Sequence, residues 1–189
     1  MLSAALKDDP DNEAAQSSMY DYYRSAGQDS LAIIARDGIL MNRKTSSTTK
    51  ISMLNQLIKE SESAGGDSTA ILALLDKVIT SDKPDADIAS LKAAYMELKK
   101  MPEDSVNNAF RYVLSIAPEN TYATKKLIES YWNRQRWDDI VSLCSQSVLY
   151  NPEDMTLYYF MGLAYFQKDD DDNALDALKR GVSEINDES

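Results

Sequence analysis

The chain has 189 residues, of which 43% are hydrophobic, and it carries a formal net charge of −11. The hydrophobic content is enough to bury a core, while the acidic excess argues against nucleic acid and anionic membranes as partners, because both are bound by clustered Lys and Arg. The absence of His and the single Cys exclude His-based nucleophiles, His-ligated metals and an internal disulfide.

The N-terminal residues have the pattern of a helix end. We expect residues 1–7 to be the tail of a preceding helix, followed by a turn that contains Pro10. The segment lacks the basic region and the length of a signal peptide, and no stretch of the chain approaches the ~20 apolar residues of a membrane span. We therefore predict no direct membrane insertion.

Similar turns recur at Pro84, Pro118 and Pro152, at equal spacings of about 34 residues. Each proline opens a short polar turn before an apolar helical pattern, and a fixed period of this length predicts stacked helix–turn–helix units. The interval from Pro10 to Pro84 is slightly longer than two such periods. We assign the surplus residues to the polar segment 42–50, which has no helical period.

The apolar periodicity predicts ten helices. In chain order they are expected at about 13–25, 28–41, 50–63, 68–80, 86–99, 103–116, 120–134, 137–150, 154–167 and 172–185.

The last unit has the clearest pattern. Its first helix carries Tyr158, Met161-Gly162 and Tyr165, and its second carries Ala174, Leu178 and Gly181, followed by Asn186. This resembles a tetratricopeptide repeat, whose first helix (helix A) has a large aromatic, Leu-Gly and Tyr, and whose second (helix B) has Ala, Phe and Ala before a closing Pro. The close approach of the two helices is expected at Gly162.

The resemblance implies an all-α fold, a right-handed α-α superhelix (TPR solenoid) of about five repeats. The whole chain, 1–189, would be a single array with repeats at about 13–44, 50–83, 86–117, 120–151 and 154–185. Helix A side chains that are not used in packing would line a concave face that binds a peptide or protein. The resemblance therefore implies a non-enzymatic scaffold without catalytic residues, metal or cofactor.

The register of the repeats predicts which residues line the concave face. They are Tyr122, Lys125, Lys126, Glu129, Trp132, Tyr159, Leu163 and Phe166. Trp132 beside a basic pair resembles an interface anchor, but the pattern slightly favours the alternative of a Trp half-buried between adjacent helices. Tyr159 and Phe166 could hold a peptide or rest on a further repeat. Trp137 is expected to fill the corner between two helices.

Three other features are given structural roles. The run Asp169–Asp172 lacks the ligand spacing of a Ca²⁺ loop and is interpreted as a turn, with Asp172 capping the following helix. Cys144 is expected to be buried and unreactive. Some tetratricopeptide domains clamp a C-terminal carboxylate with a Lys and an Asn four residues on, but Glu129 follows Lys125 here, so this function is not predicted.

Two further functions stay open: a groove for a glycan or lipid-like molecule, formed by Trp132, Tyr159 and Phe166, and a structural spacer or dimerisation element. Both ends of the chain look like cut points in a longer array, and the composition resembles that of arrays from bacterial proteins. Self-association through the last helix is expected from its apolar residues, which are Leu175, Leu178, Val182 and Ile185. The sequence leaves the cellular location open.

Overall fold

The computed structural model describes residue 9 and residues 11–66, 68–81 and 83–186. The predicted helix tail at 1–7, Pro10 and the side chains of Ile185 and Asn186 lie outside the described residues. Ten α-helices and no β-strand occur in the described ranges. They are α1 Glu13–Ser25, α2 Asp29–Met41, α3 Ser47–Ser63, α4 Ser68–Ser81, α5 Ala86–Leu98, α6 Glu103–Ile116, α7 Thr121–Asn133, α8 Trp137–Ser147, α9 Met155–Phe166 and α10 Asp171–Asn186.

The helices that begin each predicted repeat start in a common way. A side-chain oxygen just before the helix accepts a hydrogen bond from a backbone N–H two or three residues further on, which satisfies one of the free donors of the first turn. The capping residues are Asn12, Ser46, Asp85, Asn120 and Asp154. This chemistry explains why the periodic polar turns mark helix starts.

The spacing of these caps corrects the position of the surplus residues. The interval from Asn12 to Ser46 equals one repeat period, whereas the interval from Ser46 to Asp85 exceeds one period by several residues. The surplus therefore lies after Ser46, and its assignment to segment 42–50 was wrong. Because Ser46 caps the helix, α3 starts at Ser47 rather than at residue 50, and it has 17 residues where α1 and α7 have 13.

The chain divides into two compact units, Met1–Lys92 and Ala93–Ser189. In the first unit α1 packs on α2, α3 on α4, and α2 on α4. Its most deeply buried side chains are Ile39, Leu40, Leu54 and Leu75. Burial of these aliphatic side chains is the main stabilising contribution to this unit.

In the second unit, each helix from α6 to α10 packs on the next one along the chain. The buried residues recur at helical spacing, for example Leu127, Ile128 and Tyr131 on α7. On α9 the buried set includes Tyr158, Met161 and Gly162. The residues that define the repeat pattern are thus core residues of this unit.

Helices α9 and α10 approach each other closely at two glycines. A Cβ atom added to Gly162 would lie 2.8 Å from Leu178 Cγ and 3.2 Å from the carbonyl oxygen of Ala174. One added to Gly181 would lie 2.7 Å from Tyr158 Cβ. The predicted close approach at Gly162 is therefore confirmed, and Gly181 is a second point of the same kind.

Candidate functional site

Aromatic side chains connect α7, α8 and α9 in the second unit. The Trp132 ring lies 5.0 Å from the Trp137 ring and 5.9 Å from the Phe160 ring, measured between centroids, and both pairs are edge-to-face. Phe160 in turn lies 5.5 Å from Tyr159. Edge-to-face contacts of this kind favour a fixed orientation of the rings. Trp132 and Trp137 are half-buried, as expected for side chains packed between helices.

Tyr159, Leu163 and Phe166 lie at spacings of four and three along α9, which places them along one side of this helix. Tyr159 is 52% exposed and Phe166 is 59% exposed, whereas Leu163 is half-buried. We call Trp132, Tyr159, Leu163 and Phe166 the apolar stripe. It exposes two large aromatic rings to solvent in the free chain.

The charged residues predicted at the site are held in ion pairs. Lys125 Nζ lies 3.7 Å from Asp154 Oδ2, and Lys126 Nζ lies 2.9 Å from Glu97 Oε1 and 3.7 Å from Glu129 Oε2. The hydrogen bond to Glu97 raises the pKa of Lys126 above its ordinary value. Both lysines are therefore compensated by carboxylates, and neither is a bare cation.

Tyr122 has different neighbours from the residues of the apolar stripe. Its ring packs edge-to-face on buried Phe110 with 5.8 Å between centroids, and Lys126 Nζ lies 6.0 Å from its centre. A cavity of about 190 Å³ lies beside this group and is lined by residues that include Met101, Phe110, Lys126 and Glu129. The eight predicted residues thus fall into the apolar stripe and a second group, in which Tyr122 lies with the charged side chains.

Comparison with known proteins identifies the architecture. No protein-family model matches the chain, and no curated protein is significantly similar to it in sequence. The crystal structure of MamA protein matches with a TM-score of 0.55 at 18% identity, over 91% of each chain. YrrB, described as a TPR protein with an unusual peptide-binding site, matches with a TM-score of 0.53 at 14% identity, over 97% of this chain and 91% of that one.

A third match is MamA 41-end from Desulfovibrio magneticus RS-1, with a TM-score of 0.50 at 17% identity, over 89% of this chain and 96% of that chain. The chain has the tetratricopeptide-repeat fold. The predicted fold class, an all-α TPR solenoid, is confirmed. At these identities the likeness concerns the fold, and it does not transfer a binding site.

Two residues of the TPR surface were missed by the sequence analysis. Phe160 is half-buried and connects Trp132 with Tyr159, but it was not among the residues predicted for the concave face. Leu98 is an exposed residue at the end of α5, one repeat period before Trp132 and two periods before Phe166. The TPR period alone could have placed Leu98 at the same repeat position as these two aromatic residues.

The acidic run at the α9–α10 turn has a different cap from the one predicted. Asp170 accepts a hydrogen bond from the Asn173 backbone N–H at 3.3 Å, so Asp170 rather than Asp172 caps α10. The reason is that α10 begins one residue earlier than predicted, at Asp171. In the described ranges, no group of three or more His, Cys, Asp or Glu side chains could hold a metal ion.

None of the helices in the described part of the chain combines the length and the apolar composition of a membrane span. On α10, the side chains of Leu175, Leu178 and Val182 are exposed.

Cys144 is fully buried on α8, as predicted. Burial, with a smaller contribution from the Asp154 carboxylate, raises the pKa of its thiol from 9.0 to about 12. We expect the folded protein at pH 8 to react with Ellman's reagent at least about 1000-fold more slowly than the urea-unfolded chain, because thiolate is the nucleophile. Rapid modification of the folded protein would contradict this burial.

The same pKa shift predicts a pH dependence of stability. The unfolded thiol ionises above about pH 9 while the folded thiol keeps its proton until about pH 12. The folded state therefore loses stability as pH rises between these values. Urea midpoints of the wild type and of Cys144→Ala, measured at pH 8 and pH 10.5, test this, since the variant should lack this part of the decrease.

Proposed function

We propose that the chain is a non-enzymatic scaffold that binds a peptide or protein segment on the helix A surface of its TPR repeats, through the apolar stripe. The proposal includes no chemical step, because the sequence lacks His and its single Cys is buried with a raised pKa. The TPR fold supports it, as does the similarity in fold to YrrB, a TPR protein with an unusual peptide-binding site.

The observation that carries the proposal is the exposure of Tyr159 and Phe166 beside ordered aromatic rings. Large rings at the centre of an interface contribute most of the binding free energy when they become desolvated. The Trp132–Phe160 contact fixes the neighbouring surface before a ligand arrives, so less conformational entropy is lost on binding.

The charges on α7, the helix that also carries Trp132, indicate the chemistry of the partner. Lys125 and Lys126 face the carboxylates of Asp154, Glu97 and Glu129, so the local charge is slightly negative. We therefore propose an apolar or aromatic segment without net negative charge as the ligand. Binding driven mainly by burial of apolar surface should change little with salt.

Selection from a random peptide display library tests the proposal. We expect enriched peptides that share two or three apolar side chains and that bind the wild-type chain saturably. The double variant Tyr159→Ser/Phe166→Ser should raise their Kd at least about tenfold, which corresponds to the loss of about 1.4 kcal/mol. The affinities are measured by fluorescence anisotropy with labelled peptides.

Tyr112→Ser is the matched control, since Tyr112 is an exposed aromatic on α6 outside the apolar stripe. It should leave the Kd unchanged. Selected peptides that bind the double variant as tightly as the wild type would refute binding at the stripe.

Self-association through α10 is a second proposal, and it is supported by the exposure of Leu175, Leu178 and Val182. Apolar side chains that remain exposed on one helix favour contact with another apolar surface. Sedimentation velocity at 10 and 200 µM should show concentration-dependent dimers, and Leu175→Lys/Val182→Lys should abolish them. A monomer at both concentrations would refute the proposal.

A further inference from the structure

The first unit contains a polar site that the scaffold function does not use. A solvent-open cavity of about 780 Å³ lies where the segment before α3 meets the end of α4 and the start of α5. Its lining includes Arg43, Lys44, Thr45, Lys50, Lys83 and Asp85.

The lining of this cavity carries a net positive charge, whereas the whole chain carries a net negative charge. Four of the lining residues are basic and one is acidic, although acidic residues outnumber basic ones by 31 to 20 in the sequence. Lys44 is paired with Asp11 at 2.5 Å, and Asp85 is engaged in capping α5. Arg43, Lys50 and Lys83 each already interact within the chain, so a ligand would share these cations.

Lys50 occupies an unusual position. It is only 4% exposed and lies four residues after the Ser46 cap. The equivalent positions after Asn120 and Asp154 hold the uncharged side chains of Thr124 and Tyr158, which are also buried. A buried ammonium group is costly unless negative charge compensates it. An anion in the adjoining cavity would add to this compensation.

Thr45 provides an independent observation. The residue lines the cavity and is 6% exposed, and its Oγ1 atom is buried without a hydrogen-bond partner. A hydroxyl in this state costs free energy in the free protein and is rare in folded structures. Because this atom is closed to solvent, an oxyanion bound in the cavity would supply the missing acceptor once the Thr45 side chain rotates toward it. The N-terminal end of α3 already holds a negative charge, because the Glu13 carboxylate accepts hydrogen bonds from the Ser46 backbone N–H and hydroxyl. The Thr45 hydroxyl, and not the helix end, is therefore the donor left for a ligand.

We propose that this cavity is a binding site for a phosphate-type dianion, either free phosphate or a phosphomonoester. Several cations from separate segments, together with the Thr45 hydroxyl, match the charge and the multiple acceptor oxygens of such a ligand. The Ser46 and Ser47 hydroxyls already donate to Glu13 and Asp85. Segment 42–50 supplies much of the wall. The proposal concerns the first unit only and does not depend on peptide binding by the apolar stripe.

The test is a two-dimensional amide NMR titration with inorganic phosphate at constant ionic strength. We expect saturable shifts confined to residues 43–50 and 83–88 at millimolar phosphate. O-Phosphoserine distinguishes the two sources: equal affinity indicates that the phosphate group alone is recognised, and tighter binding indicates a phosphomonoester. Acetate should bind at least tenfold more weakly, and equal affinity for acetate would contradict a dianion site.

Two variants make the test specific. Thr45→Val should weaken phosphate binding at least fivefold while it leaves the thermal midpoint of the phosphate-free protein unchanged or higher, because it removes an unsatisfied hydroxyl. Lys50→Met should weaken binding at least tenfold, and Lys125→Met, in the second unit, is the charge-matched control. Wild-type affinity in both Thr45→Val and Lys50→Met, or linear shifts spread over all basic regions, would overturn the proposal.

Discussion

Gly162→Leu is expected to destabilise the protein by at least about 1–3 kcal/mol. The first added carbon would already lie 2.8 Å from Leu178 Cγ and 3.2 Å from the carbonyl oxygen of Ala174, and three more carbons must follow it. Since α9 and α10 pack closely along their length, the helices must separate to make room. Urea denaturation followed by far-UV circular dichroism measures the loss.

Gly38→Leu is the matched control, because Gly38 is an exposed helical glycine with no atom within 4 Å of an added Cβ. It should be neutral or stabilising by up to about 0.8 kcal/mol, the difference in helix propensity. Gly162→Ala should fall between the two, with a small loss as Leu178 moves. If Gly162→Leu unfolds at the wild-type urea concentration, the α9–α10 packing is wrong.

Phe110→Ala is expected to have the larger effect, about 3–5 kcal/mol. Phe110 is fully buried on α6 and contacts Tyr122 of α7 edge-to-face. The substitution removes apolar surface from the core and leaves a cavity that helices on both sides can fill only in part. Because Trp132 and Trp137 are both in the second unit, Trp fluorescence during urea denaturation reports this loss directly.

Tyr112→Ala, on the same helix, serves as the control for Phe110→Ala. Tyr112 is exposed, so its truncation should change the free energy of unfolding by less than about 0.5 kcal/mol. Equal losses in the two variants would mean that the buried side of α6 has been assigned incorrectly.

The helices could be predicted well from the sequence because periodic signals determine them. Apolar spacing placed both ends of α1 and α6 correctly, and the polar turns marked the caps. Segment 42–50 was assigned wrongly because its Ser and Thr residues are typical of a loop. Ser46 instead caps α3, and the Ser and Thr residues that follow Ser46 belong to this helix. Ser and Thr are common both in loops and at the N-termini of helices, so only the tertiary fold distinguishes the two structures.

The candidate site was less predictable. The repeat register identified Tyr159 and Phe166, whose exposure agrees with a surface role, but it could not reveal the ion pairs of Lys125 and Lys126. Lys126 and its partner Glu97 are far apart in the chain. Such a pair forms only when the fold and the side-chain conformations bring the two charged groups together. The same holds for the unpartnered hydroxyl of Thr45, which depends on tertiary packing and leaves no periodic trace in the sequence.

Photo-crosslinking can show whether the partner binds at the apolar stripe. Benzoylphenylalanine is placed at position 166, and at position 112 as the control, and each protein is irradiated with a display-selected peptide at its Kd. We expect a covalent adduct at position 166, competed by unlabelled peptide, and none at position 112. Adducts at position 112 with none at position 166 would contradict binding at the apolar stripe.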